Sequence, residues 1–125
     1  MLILDTSVVI ELERKNQQVI SQIEELKKQE PGNPKISFMT YFELLEGIAK
    51  KAEHNKEKAQ SFIELFEIIQ TTNATAKKLV ELRQKHEFPI PDLFIAAQVL
   101  EHNGILVTKD NDFKDMKEIR KAFIN

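Results

Sequence analysis

"LILDTSVVI", residues 2–10, decides how the rest of the chain is read. Leu2, Ile3 and Leu4 are too short an apolar run for a helix and fit a buried strand. Asp5, Thr6 and Ser7 follow at once, and from Ser7 onward Val8, Val9 and Leu12 take a helical spacing. A strand that ends on a carboxylate and passes straight into a helix reads as the start of a parallel α/β unit. In such sheets ligands bind beyond the carboxyl ends of the strands. Asp5 alone has an ordinary explanation, because Asp caps helices and hydrogen-bonds turns. It gains a second meaning only if other acids reach the same edge.

The pattern beyond residue 10 keeps this rhythm. Val19, Ile20, Ile23 and Leu26 mark an amphipathic helix over residues 16–29, which "EPGNP" at 30–34 stops. "KISF" at 35–38 reads as a second strand, and "TYFELLEGIAKK" at 40–51 as a helix capped by Thr40. Residues 56–69 read as a helix with Phe62, Leu65, Phe66 and Ile69 on one face, its last residues, in "IIQT", being either a third strand or the helix end. A helix over 74–87 precedes the break "FPIP" at 88–91. Pro91 suits the first position of the next helix and Gly104 the position after its end. "ILV" at 105–107 is a further strand, "TKDNDF" a turn, and residues 115–123 carry a helical pattern. Short apolar strands without alternation predict a parallel sheet covered on both faces, a three-layer α/β/α sandwich in one domain over residues 1–125.

Composition narrows the class. With 125 residues the chain can bury a core without staples, and it has no cysteine for disulfides or thiolate zinc sites. No apolar run is long enough to span a membrane, and "MLILDTS" lacks the basic start of a secretory signal, so a cytoplasmic location is expected. Lys and Arg number 18 against 20 Asp and Glu, giving a net charge of −2, so any nucleic-acid surface must be a local basic rim. Only modest clusters offer one: Lys50–Lys51, Lys77–Lys78, and Arg83 with Lys85. Three glycines leave no phosphate-binding loop. His54, His86 and His102 show no metal-ligand spacing and read as surface or helix-end residues.

Four further acids can reach the edge that Asp5 marks. Asp110 and Asp112 follow the "ILV" strand, and Glu43 and Asp92 sit at the starts of helices that begin on the same side of the sheet. Each has its ordinary reading. Thr40 and Glu43 fit a capping box, Asp92 suits a helix first turn, and Asp110 and Asp112 suit a turn. Together they strain those readings, because two carboxylates about 5 Å apart repel by about 3 kcal/mol at an effective dielectric of about 20. A cation or protons must neutralise such a cluster. An all-oxygen set suits Mg²⁺ or Mn²⁺, which can activate water and stabilise charge on a phosphodiester.

"LILDTSVVIELE", "MTYFELLEG" and "PDLFIAAQVLEHNGILVTKDNDF" together resemble the PIN domain, in particular the VapC-type toxin ribonucleases, over Leu2 to Phe113. The resemblance implies a parallel α/β/α sandwich and metal-dependent endonucleolytic cleavage of RNA, leaving 5′-phosphate and 3′-hydroxyl ends. It implies that Asp5, Glu43, Asp92 and Asp110 are the acidic quartet, with Asp5, Asp92, Asp110 and Asp112 as metal ligands and Thr6 and Thr108 as supporting polar residues. It also implies a homodimer and a small antitoxin partner. Two features depart from the family: "EFPIPD" is a short approach to Asp92, and the tail "MKEIRKAFIN" reads as helix where many members end in a strand. Two rivals carry different chemistry. A PIN-fold module that only binds RNA or protein would not need every acid. An Asp-nucleophile phosphatase would carry a second Asp where Ser7 stands.

Overall fold

A computed structural model describes residues 1–125. Five strands, β1 (Leu2–Leu4), β2 (Lys35–Ser37), β3 (Glu67–Ile69), β4 (Ile105–Thr108) and β5 (Arg120–Phe123), form one sheet in the order β3-β2-β1-β4-β5. Every neighbouring pair is parallel. The helices are α1 (Thr6–Glu13), α2 (Gln17–Gln29), α3 (Phe38–Ala49), α4 (Glu53–Ile63), α5 (Asn73–Lys85) and α6 (Ile90–Glu101), with a 3₁₀ turn at Asn111–Asp115.

Alternation along β1 builds the three layers, because successive strand side chains point to opposite faces. Ile3 packs on one face with Leu106, Leu93, Ala96 and Leu82, from β4, α6 and α5. Leu2 and Leu4 pack on the other with Val8, Val19, Ile23 and Val107. Ile3 and Leu4 are fully buried. Truncating either to Ala would cost about 2–5 kcal/mol. The sandwich expected from the short apolar strands is therefore present, with β1 at its centre.

Several boundaries differ from the sequence reading. Lys15, with a φ of 59°, breaks the first helical stretch, and Asn16 caps α2 by accepting from the Gln18 and Val19 amides. α3 begins at Phe38 and is capped by Ser37, whose hydroxyl accepts from the Met39 amide, so Thr40 is not the cap. α4 stops at Ile63 and "EII" at 67–69 pairs with β2, leaving Leu65 exposed rather than on a helix face. α6 starts at Ile90, one residue before Pro91.

Two corrections are larger. The left-handed residue after α6 is Asn103, at φ 50°, not Gly104. Gly104 lets the chain pack closely instead, since a Cβ there would stand 2.7 Å from Ile3 Cδ1 and force that buried side chain to shift. Residues 120–123 are strand, not helix, and pair with β4. A helix of that length is marginal on its own, whereas the open edge of β4 offers a full set of backbone partners. Met116 and Ile119 are buried anchors before the strand.

Candidate active site

The carboxyl ends of β1 and β4 and the amino ends of α3 and α6 meet at one edge of the sheet, the geometry at which such folds bind ligands. Asp5 continues the ladder beyond β1, its amide donating to the Val107 carbonyl at 2.9 Å. Its carboxylate both caps and reaches across. The Thr6 amide donates to Oδ1 at 2.8 Å, and the Thr108 hydroxyl donates to Oδ2 at 2.7 Å. Thr108 is fully buried and also accepts from the Asp110 amide at 2.9 Å, so one hydroxyl ties the first acid to the loop carrying the next two. Asp110 in turn accepts from the Asp112 amide at 2.9 Å and caps the 3₁₀ turn. Asp112 is exposed at the rim.

Glu43 is not part of a capping box. Its Oε1 accepts from the Thr6 hydroxyl at 2.7 Å, and the Thr6 and buried Thr40 hydroxyls lie 3.1 Å apart. The spacing that suggested a cap puts Thr40 and Glu43 on one helix face, turned toward Thr6. Asp92 lies in the first turn of α6.

The acids sense one another. Burial, and next the Asp110 charge, followed by Asp5, Glu43 and Asp112, push the Asp92 carboxyl up to about 6 from 3.8, with no hydrogen bond to offset them. Burial also raises Asp5, against the lowering effect of its Thr108, Thr6 and Ser7 donors. All five sequence-predicted acids thus share one electrostatic neighbourhood, with Thr6 and Thr108 holding two of them. The side chains as they lie do not gather any three acids closely enough to grip an ion. The donor set still fits a hard divalent cation, since every candidate ligand is a carboxylate oxygen.

A groove of about 450 Å³ runs from Thr6 and Glu43 over Ile10, Leu44 and Ile48 to Arg14, Lys51 and Lys58. Of the basic clusters visible in the sequence, only Lys51 of the Lys50–Lys51 pair lines it. Arg14 and Lys58 were not distinguishable there from any other surface cation. His86 stands apart from the acids, 2.9 Å from Glu118 and stacked on Phe88.

Fold and site define a parallel α/β protein with a cluster of acids at its strand ends and a groove leading away from Glu43. The chain belongs to the PIN domain family, whose profile matches residues 2–119. A comparison with curated proteins found no match. Among solved structures, the chain is similar to VapBC2 from Rickettsia felis, bound to a DNA fragment from its promoter, at 23% identity and a TM-score of 0.85. That match covers 99% of this chain and 98% of the other. It is also similar to a toxin–antitoxin complex from Klebsiella pneumoniae, at 25% identity and a TM-score of 0.78, covering 95% of each chain. A third similar structure is DNA-bound VapBC from Salmonella typhimurium, at 21% identity and a TM-score of 0.79, covering 98% of this chain and 96% of that one.

Proposed function

We propose that this chain, as a single nuclease domain, is a divalent-metal-dependent endoribonuclease and the toxin of a toxin–antitoxin pair. The observation that carries the reading is the gathering of Asp5, Glu43, Asp92, Asp110 and Asp112 at the strand ends of a PIN domain, where burial first and then the four other acids raise the Asp92 carboxyl. The toxin role is supported by the similar structure from Klebsiella pneumoniae, which is a toxin–antitoxin complex. Asp5, Asp92 and Asp110 would hold Mg²⁺ or Mn²⁺, with Asp112 at the rim. Bound there, the ion would supply Lewis-acid charge for the phosphodiester and lower the pKa of a bound water.

The chain's own groups do the rest. Thr108 fixes the Asp5 carboxylate and the Asp110 loop in one arrangement. Thr6 holds Glu43 in the rotamer that faces the pocket, where its free oxygen can orient an attacking water. Arg14, Lys51 and Lys58 supply positive charge for the RNA backbone beside the pocket. A second copy of the chain and a small antitoxin protein are the partners of the same proposal, and the cytoplasm its compartment. No helix is long and apolar enough to cross a membrane.

The test is cleavage of total RNA by the purified chain with Mn²⁺ or with EDTA, followed by mapping of the cut ends. Cleavage with Mn²⁺ alone, leaving 5′-phosphate and 3′-hydroxyl ends, is the expected result. Cleavage that persists in EDTA, or none in either condition, refutes the reading.

A further inference from the structure

Helix α6 is apolar over most of its buried face, yet in "IAAQVL" it carries a glutamine that is 0% exposed. Burying an amide without partners is costly, and Gln98 has all of its partners. Its Oε1 accepts from the Phe38 amide at 2.9 Å, and its Nε2 donates to the Ile69 carbonyl at 3.0 Å and to the Gln70 carbonyl at 3.3 Å. The partners fix which way the amide lies, since an N–H faces the oxygen and carbonyls face the nitrogen.

These bonds join the elements that carry the acids. Phe38 is the first residue of α3, whose opening amides have no partner inside the helix. Glu43 lies on that helix and Asp92 on the helix that bears Gln98. Like charges on the two helices, Glu43 in the second turn of α3 and Asp92 in the first turn of α6, push them apart, and the Phe38–Gln98 bond is a polar tie that opposes this separation. Apolar packing also holds the helices together, but it is non-directional and does not tie one backbone amide to one side chain.

We propose that Gln98 is a positioning residue for the acid rim: its buried amide ties the start of α3 and the end of β3 to α6, and so fixes the separation of Glu43 from Asp92. Its relevance to metal binding rests on the functional reading above. The separation itself can be measured without metal.

The chain has no cysteine, so spin labels can be placed at exposed positions on the two helices through Glu46→Cys and Ile90→Cys. Gln98→Met is expected to lengthen and broaden the label-to-label distance by pulsed electron resonance. Val99→Ala, which is equally buried on the same helix, is expected to lower the melting temperature and leave the distance unchanged. Gln98→Glu, protonated at this depth, keeps the acceptor and one donor and should restore most of the wild-type distance; it also serves if the Met variant does not fold. An unchanged distance in Gln98→Met, or in Gln98→Leu, each in the chain labelled through Glu46→Cys and Ile90→Cys, overturns the inference. Calorimetry with Mn²⁺ on the metal-free protein adds the functional readout, in which Gln98→Met should bind about tenfold more weakly, the low end of what outer supporting residues cost. Wild-type protein that binds no Mn²⁺ contradicts the functional reading, while the label distances still judge Gln98.

Discussion

The two ends of α6 carry an acid each, and the fold treats them in opposite ways. At the carboxyl end, Glu101 accepts from the hydroxyls of Thr72 and Thr75, which cap α5. Burial pushes its carboxyl up, but those two donors outweigh burial and leave it below its ordinary value. At the amino end, Asp92 has burial and four like charges against it and is driven up to about 6. The helix dipole would favour the reverse, stabilising an anion at the amino end and disfavouring one at the carboxyl end. Local donors and neighbouring charges therefore decide both cases. Glu101 is given two hydroxyl donors, whereas Asp92 is left among other carboxylates.

Exchanging the roles of the two acids should break the comparison most visibly in activity. Asp92→Asn is expected to reduce Mn²⁺-dependent RNA cleavage by more than about 100-fold, beyond the usual cost of an outer supporting residue. Glu101→Ala should cleave at the wild-type rate in the same assay. Equal losses in the two variants would erase the distinction.

Stability should show the opposite order. Glu101→Ala removes two hydrogen bonds to a charged acceptor and should cost about 2 kcal/mol in denaturant unfolding. That contribution is present above the ordinary Glu value of 4.5 and fades as pH falls through the lowered folded-state value. A variant as stable as wild type at neutral pH would show that the Thr72–Thr75–Glu101 bonds do not hold α5 to α6.

Asp92→Asn should stabilise the metal-free protein. Folding raises this pKa, so the native state binds the proton more tightly, and stability is lost as pH climbs from 3.8 to about 6. At full strength the rise is worth about 3 kcal/mol, and solvent screening at a part-exposed site leaves about 1 kcal/mol. The variant should therefore melt about 4 °C higher at pH 7.5 in EDTA. Well below pH 4 the gain should be gone. A gain that persists in acid would point to a cause other than charge.

The same contrast explains what could be read in the chain. Strand β1, the Asp5 carboxylate after it and the acids of "PDLF" and "TKDNDF" were legible because apolar runs and turn chemistry are local signals. β5 was not, because "RKAF" becomes a strand only by pairing with β4. Glu43 was legible as an acid but not in its partner, since a capping box and the Thr6–Thr40–Glu43 arrangement share one spacing. Gly104 looked like a helix stop, and its packing against Ile3 involves a distant residue. Gln98 had one signal, a lone amide in an apolar run, whose meaning depended on Phe38 and Ile69 being near.

The claim that the rim acids await a cation is tested most directly by titrating the Asp92 side-chain carboxyl by NMR, in metal-free protein and again with millimolar Mg²⁺. The metal-free value should lie at about 6. Bound Mg²⁺ should bring it down to the ordinary carboxylate range or below, since a nearby positive charge favours the ionised form. A metal-free value near 3.8, or one that Mg²⁺ does not move, would contradict the account.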